Sequence, residues 1–181
     1  MPRFSAFDDT QAVKAARRLL EFVVGHGKDV LPAREGPRPA MSDTLPHFQL
    51  DQWPDQRRIA DLLARASKFP NVVIRQSRMA SLDTAALALD DEHAVGPAEA
   101  FIDLPEFCHL LGPPQGGAHL TLPPTVIASL VELGWAEPHL AAKSGAVSPL
   151  LLTVYAPRAE REIAVTVGLV ELSWKFARGE V

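Results

Sequence analysis

A chain of 181 residues fits one domain, long enough to remove roughly 70% of its unfolded surface from water without disulfide or metal staples. Its formal charge of −4 provides no broad positive field for phosphates, so nucleic acid is excluded as an expected partner. Cys108, the single cysteine, has no internal bridge partner, and no apolar run approaches the roughly 18 residues that cross a bilayer. The expectation is a soluble, cytoplasmic protein with no membrane partner.

Residues 1–27 read as an N-terminal amphipathic helix, running from about Thr10 to Val24. Lys14, Arg17, Arg18 and Glu21 form a narrow polar strip beside a wide apolar arc that needs cover. In residues 28–52, Pro32, Gly36, Pro37, Pro39 and Pro46 forbid regular structure, which makes this stretch a proline-rich linker. Residues 53–181 form the folded domain. It opens with a helix near Pro54 that places Ile59, Leu62, Leu63, Ala66 and Phe69 on one face.

The period then changes from 3.6 to 2. Strands are predicted at Val72–Gln76, Ala85–Leu89, Glu99–Asp103, Glu106–Leu111 and Ala118–Leu122, the last two joined as a hairpin through the turn at 112–117. Pro123-Pro124 starts a helix to about Leu133, with Gly134 as its left-handed cap. The nearly continuous apolar run Leu150–Tyr155 reads as a central strand covered on both faces. The last helix, from about Arg158 to Ala177, carries two apolar stripes: one predicted to lie on the sheet, the other to meet the first helix or a second subunit. A homodimer through this C-terminal helix follows as an expectation. The expected class is α+β: an antiparallel sheet of about five to six short strands with helices packed on it, plus the N-terminal helix on its tether.

Several spaced motifs in order, Asp90–Phe101, Glu106-Phe107-Cys108-His109-Leu110, His119–Pro124, Gly134–His139 and Val154–Arg158, resemble the luciferase domain family. The likeness spans the chain from about Leu45 onward, and the second half is also similar at the level of fold to MmcQ/YjbR-type domains. The family pattern often has His-Leu-His where this chain reads His109-Leu110-Leu111, so no role for a second histidine carries over there. The resemblance does not imply light emission. The flavin-dependent luciferases resemble TIM barrels of about 250 residues, and this chain has no glycine-rich loop between a strand and a helix to hold a flavin or nucleotide phosphate.

The residues with the most chemical promise are His109, His119 and His139. If Leu111 lies opposite Gly117, His109 and His119 are direct cross-strand neighbours about 5 Å apart; a slip of one residue would put them on opposite faces. Shared protons, ligand contacts, or zinc in an open three-histidine site are the chemistries such a set supports, beside a purely structural role. Tyr155, Trp135, Glu137 and Arg78 are candidate ligand contacts, with Arg75 and Arg78 suited to an anion and Glu99, Glu106 and Glu137 to acid or base work. Strand alternation turns Cys108 away from His109 as a buried thiol. The functional expectation is a small-ligand or protein-interaction domain with no cofactor and no luminescent activity. The alternative is a histidine-centred hydrolase or metal-dependent enzyme, with zinc as its cofactor.

Overall fold

The computed structural model describes residues 31–80 and 84–181; the expected N-terminal helix lies outside them. Helix α1, Gln56–Ala66, begins where the Asp55 carboxylate accepts from the Arg58 amide at 2.9 Å, a cap worth about 1 kcal/mol. Arg65 pairs with Asp61 one turn back at 2.7 Å and stays half-exposed, while Leu62 and Ala66 turn inward.

Six antiparallel strands form one sheet: β1 Val72–Gln76, β2 Ala85–Leu89, β3 Glu106–Leu110, β4 Ala118–Thr121, β5 Ala136–Pro138 and β6 Leu151–Val154, in the spatial order β1-β2-β3-β4-β6-β5. This is the α+β class expected from the sequence. The hairpin closes as the alternation requires, with the Leu111 amide donating to Gly117 O at 2.9 Å and His109 opposite His119. Successive residues alternate between two layers. Leu87, Cys108, Leu120 and Leu152 are paired neighbours on the apolar face; Arg75, Ala86, His109, His119, Thr153 and Glu137 form one row across the other.

Helix α4, Glu160–Ala177, lies on the apolar face, where Ser173 Oγ donates to Phe107 O at 3.2 Å. One stripe covers the sheet, as its pattern requires. The other, expected to meet the first helix or a second subunit, faces α1 among the described residues. Arg65 of α1 bridges to Glu160 at 2.7 Å, and Trp174 stacks on Phe69 just beyond α1 and donates to Pro70 O. Two facing apolar stripes within one chain remove each other's surface from water at about 25 cal/mol per Å².

Glu99–Asp103 is not a strand. Pro97 precedes a single 3-10 turn, Ala98–Ala100, and Phe101 and Ile102 follow it buried but outside the sheet ladder, with only an isolated bridge from Asp103 to Glu106. Helix α2, Pro124–Glu132, ends at Gly134 with φ +76°, as predicted. Strand β5 and the one-turn helix α3, Leu140–Lys143, escape sequence reading because three or four residues carry no period. Strand β6 is paired on both edges and buried throughout, one strand in from the edge of the sheet.

Residues 31–52 contain no helix or named strand, in keeping with their prolines, yet they are fastened to the domain rather than spanning free space. Leu31 is buried, the Arg34 amide donates to Leu133 O at 2.8 Å, and Gln49 Oε1 accepts from the Ala156 amide at 3.0 Å. Within this strap, Met41 bridges Gln49, closing a loop whose tip lies over the polar face of the sheet.

Candidate functional site

Strand β3 positions the site through an irregularity. Ala86 pairs with His109 and Ala88 with Glu106, so the strand carries one extra residue between them, a β-bulge. In a regular strand, positions i and i+3 point to opposite faces; the extra residue puts Glu106 and His109 on the same one. Glu106 Oε1 therefore sits 2.7 Å from His109 Nδ1 and also accepts from Ser77 Oγ at 2.9 Å, while Glu106 Oε2 is buried with no partner. His109 Nε2 lies 2.9 Å from His119 Nδ1, and the His119 ring meets His139 edge-on, with centroids 4.5 Å apart.

His47, brought in by the strap, extends the line. Its ring packs against His139 at 4.9 Å, its Nε2 donates to Glu137 Oε1 at 3.0 Å, and its Nδ1 accepts from Thr153 Oγ1 and the Leu140 amide. Tyr155 OH donates to Glu137 Oε2 at 2.8 Å, and the Arg34 guanidinium lies over the Tyr155 ring. His47 is thus fully hydrogen-bonded in its neutral form and clamps the strap to β5 and β6.

The four imidazoles, with Thr84 and Gln115, form the polar part of a cavity of about 740 Å³. Its other walls are apolar, with Leu45 and Phe48 from the strap, Met79, Ile102, Val147 and Leu151; among the described residues no Asp, Glu, Lys or Arg lines it. Burial, followed by the charges of His109, His139 and His47, pushes the His119 pKa well below the ordinary imidazole value. The His47 backbone acts in the opposite sense on the His119 ring, but does not meet Nε2 in hydrogen-bonding geometry, and that nitrogen is buried without a partner. His139 is pushed down to about 4 by burial and then by His47 and His109. Burial also lowers His47, outweighing the pull of Glu137. These three rings are neutral at pH 7.

The structure thus brings His109, His119 and His139 together, and adds His47 and Ser77, which carry no local sequence signal. His47 sits in a proline-rich stretch, and its partner Thr153 lies 106 residues away. Glu137 and Tyr155 belong to the clamp behind the cavity. Trp135 is in the core, its Nε1 donating to Pro32 O, and Arg78 is largely exposed and paired with Asp103; neither lines the cavity. Cys108 is on the apolar face, and burial raises its pKa well above the usual thiol value. Among the described residues no group of three or more His, Cys, Asp or Glu is arranged to hold a metal ion.

The family model described as Luciferase domain matches residues 105–173. That segment is similar to the luciferase domain family. The resemblance read from the sequence is shown by this match, which covers less than half of the chain. The matched segment supplies His109, His119 and His139 of the cavity and their neighbours Glu106, Glu137 and Thr153; the strap with His47 lies before it. No curated protein and no solved structure was found to match. No helix among the described residues is long and apolar enough to cross a membrane.

Proposed function

We propose that the chain binds a small, uncharged and largely apolar molecule in the cavity between the sheet and the strap, with the polar group of that molecule against the histidines. The observation that carries this reading is the cavity itself: about 740 Å³ falls in the range of roughly 300–1,000 Å³ typical of small-molecule sites, and apolar walls with a few convergent polar groups are their usual chemistry. A carboxylate or phosphate finds no cation among the described lining residues, whereas apolar surface gains about 25 cal/mol per Å² on entering. The clamp from His47 to Glu137 and Thr153 holds the strap in place, so the walls are formed before a ligand arrives.

N-phenyl-1-naphthylamine, an uncharged fluorophore with a single N–H, is a suitable probe. Its emission should rise on binding to the full chain. Ala141→Trp, which puts an indole into the wall contributed by α3, should weaken binding by about tenfold or more, equivalent to about 1.4 kcal/mol. Equal binding by the variant and the original chain, with melting curves alike, would place the probe elsewhere and refute the reading.

A further inference from the structure

The four imidazoles of the cavity offer a ligand far less than their number suggests. His47 is taken up by the clamp, with Nε2 on Glu137 and Nδ1 on Thr153 and the Leu140 amide. Both His109 nitrogens are engaged, Nδ1 beside Glu106 and Nε2 beside His119 Nδ1. His119 Nε2 is sealed by packing, with no surface that a molecule in the cavity could touch. His139 is different. Its Nδ1 accepts from the Ala141 amide at 3.1 Å, whereas its Nε2 meets no partner among the described residues and is not sealed, so it is open on the cavity that the ring lines.

An amide N–H can only donate, so the nitrogen that receives it carries a lone pair, and the proton of the neutral ring is on the other nitrogen. His139 is neutral at pH 7, since burial and then His47 and His109 hold its pKa down to about 4. Nε2–H is therefore a donor. Its direction is set before a ligand arrives: the ring stands edge-on between His47 and His119, with centroids 4.9 and 4.5 Å away, and its Nδ1 caps α3. Of the other polar lining residues, Thr84 has a partner of its own, and Gln115 is half-exposed on the turn between β3 and β4, where solvent competes for its amide.

We propose that the cavity selects uncharged, apolar molecules that carry a hydrogen-bond acceptor, a ketone or ester carbonyl above all, and that His139 Nε2–H is the contact that selects them. The proposal rests on the reading of the cavity as a small-molecule site and gives that site its ligand class. A carbonyl oxygen that leaves water for the cavity regains a donor at His139. A ligand whose one polar group is an N–H also leaves its water partner, but the imidazole row presents it with no lone pair within reach, so the loss is not made good. Apolar walls sharpen the distinction, because a hydrogen bond is stronger and an unmade one more costly where water does not compete.

The test compares three bicyclic probes of nearly equal size on the full chain at pH 7: indane, with no polar group; 1-indanone, with an acceptor alone; and indole, with an N–H donor. Affinities are read by displacement of N-phenyl-1-naphthylamine. Each polar probe is expressed relative to indane, in the original chain and in His139→Phe, which cancels the unequal cost of leaving water. The variant should lower the relative affinity for 1-indanone about fivefold to tenfold, the scale of one net hydrogen bond, and leave that for indole within about twofold. An unchanged ratio for 1-indanone, or an equal fall for indole, overturns the proposal and leaves the binding reading standing. So does binding of the fluorophore with no displacement by any of the three. If neither the fluorophore nor any probe binds, both readings fall. Should His139→Phe lose indane as well, the unaltered chain decides the matter. Long-range nitrogen–proton spectra should place the His139 proton on Nε2, and the isotope-labelled carbonyl carbon of bound 1-indanone should resonate downfield of its position in hexane. A proton on Nδ1, or a carbonyl shift matching hexane, overturns the proposal.

Discussion

Acidifying the protein from pH 7 to pH 5 should destabilise it through its cavity histidines, and the size of the effect can be worked out for His139. In the folded state its pKa is about 4; unfolded, it returns to the ordinary imidazole value of 6.5. A lowered imidazole pKa means that the unfolded chain binds more protons than the native one between those values, so stability is complete above about 6.5 and drains away as pH falls toward 4. Between pH 7 and pH 5 the linkage integral for such a group is about 2 kcal/mol; screening at the open side of the cavity reduces this to about 1 kcal/mol. For a domain of this size that is roughly 2–4 °C in Tm. His119 and His47 are shifted in the same direction and add to the slope. Glu162 contributes little above pH 5, because, although burial opposes its ionisation, Arg158 and Arg34 hold it below the usual carboxylate range. Thermal melts at half-unit steps from pH 8 to pH 5 should be flat down to about 7 and then fall, and His139→Phe should flatten part of the fall. A Tm that is constant or rises between pH 7 and pH 5 would refute the burial of neutral imidazoles on which the site depends.

Gly96→Ala should cost several kcal/mol, in the upper range of single substitutions, because a Cβ there would stand 2.3 Å from Phe176 O and 2.7 Å from Ala177 O; urea denaturation should show an earlier midpoint with an unchanged slope. Cys108 should resist a disulfide exchange reagent in the native protein and react only on unfolding, since its thiol is buried and its pKa is raised; labelling followed by mass spectrometry reads this directly, and rapid native labelling would contradict the placement of β3.

Much of the sheet was legible because alternation is a local signal. The register that sets His109 beside His119 followed from a six-residue turn and the apolar faces of two strands. The Glu106–His109 contact was not legible. Both residues were visible as candidates, but spacing of three in a strand argues against contact, and only the extra residue opposite Leu87 and Ala88 reverses that argument. His47 was hidden for a different reason: prolines announce that a segment lacks regular structure, but not whether it leaves the domain or lies upon it. Docking depends on matched partners some 90 to 120 residues away, such as Leu133, Ala156 and Thr153, and no window along the chain contains both ends of such a contact. Glu99–Asp103 misled because two adjacent apolar residues, Phe101 and Ile102, resemble half of a buried strand while Pro97 sets up a turn.

The strap divides responsibility for the cavity between two stretches of chain. The base plate, with its imidazoles, is woven into paired strands, whereas Leu45, Pro46 and Phe48 belong to an irregular loop held by His47 and by the contacts at its ends. Substitutions at those three positions can therefore remodel the shape of the space above the histidines without touching the ladder beneath, so the form of the chamber can vary separately from its imidazole floor.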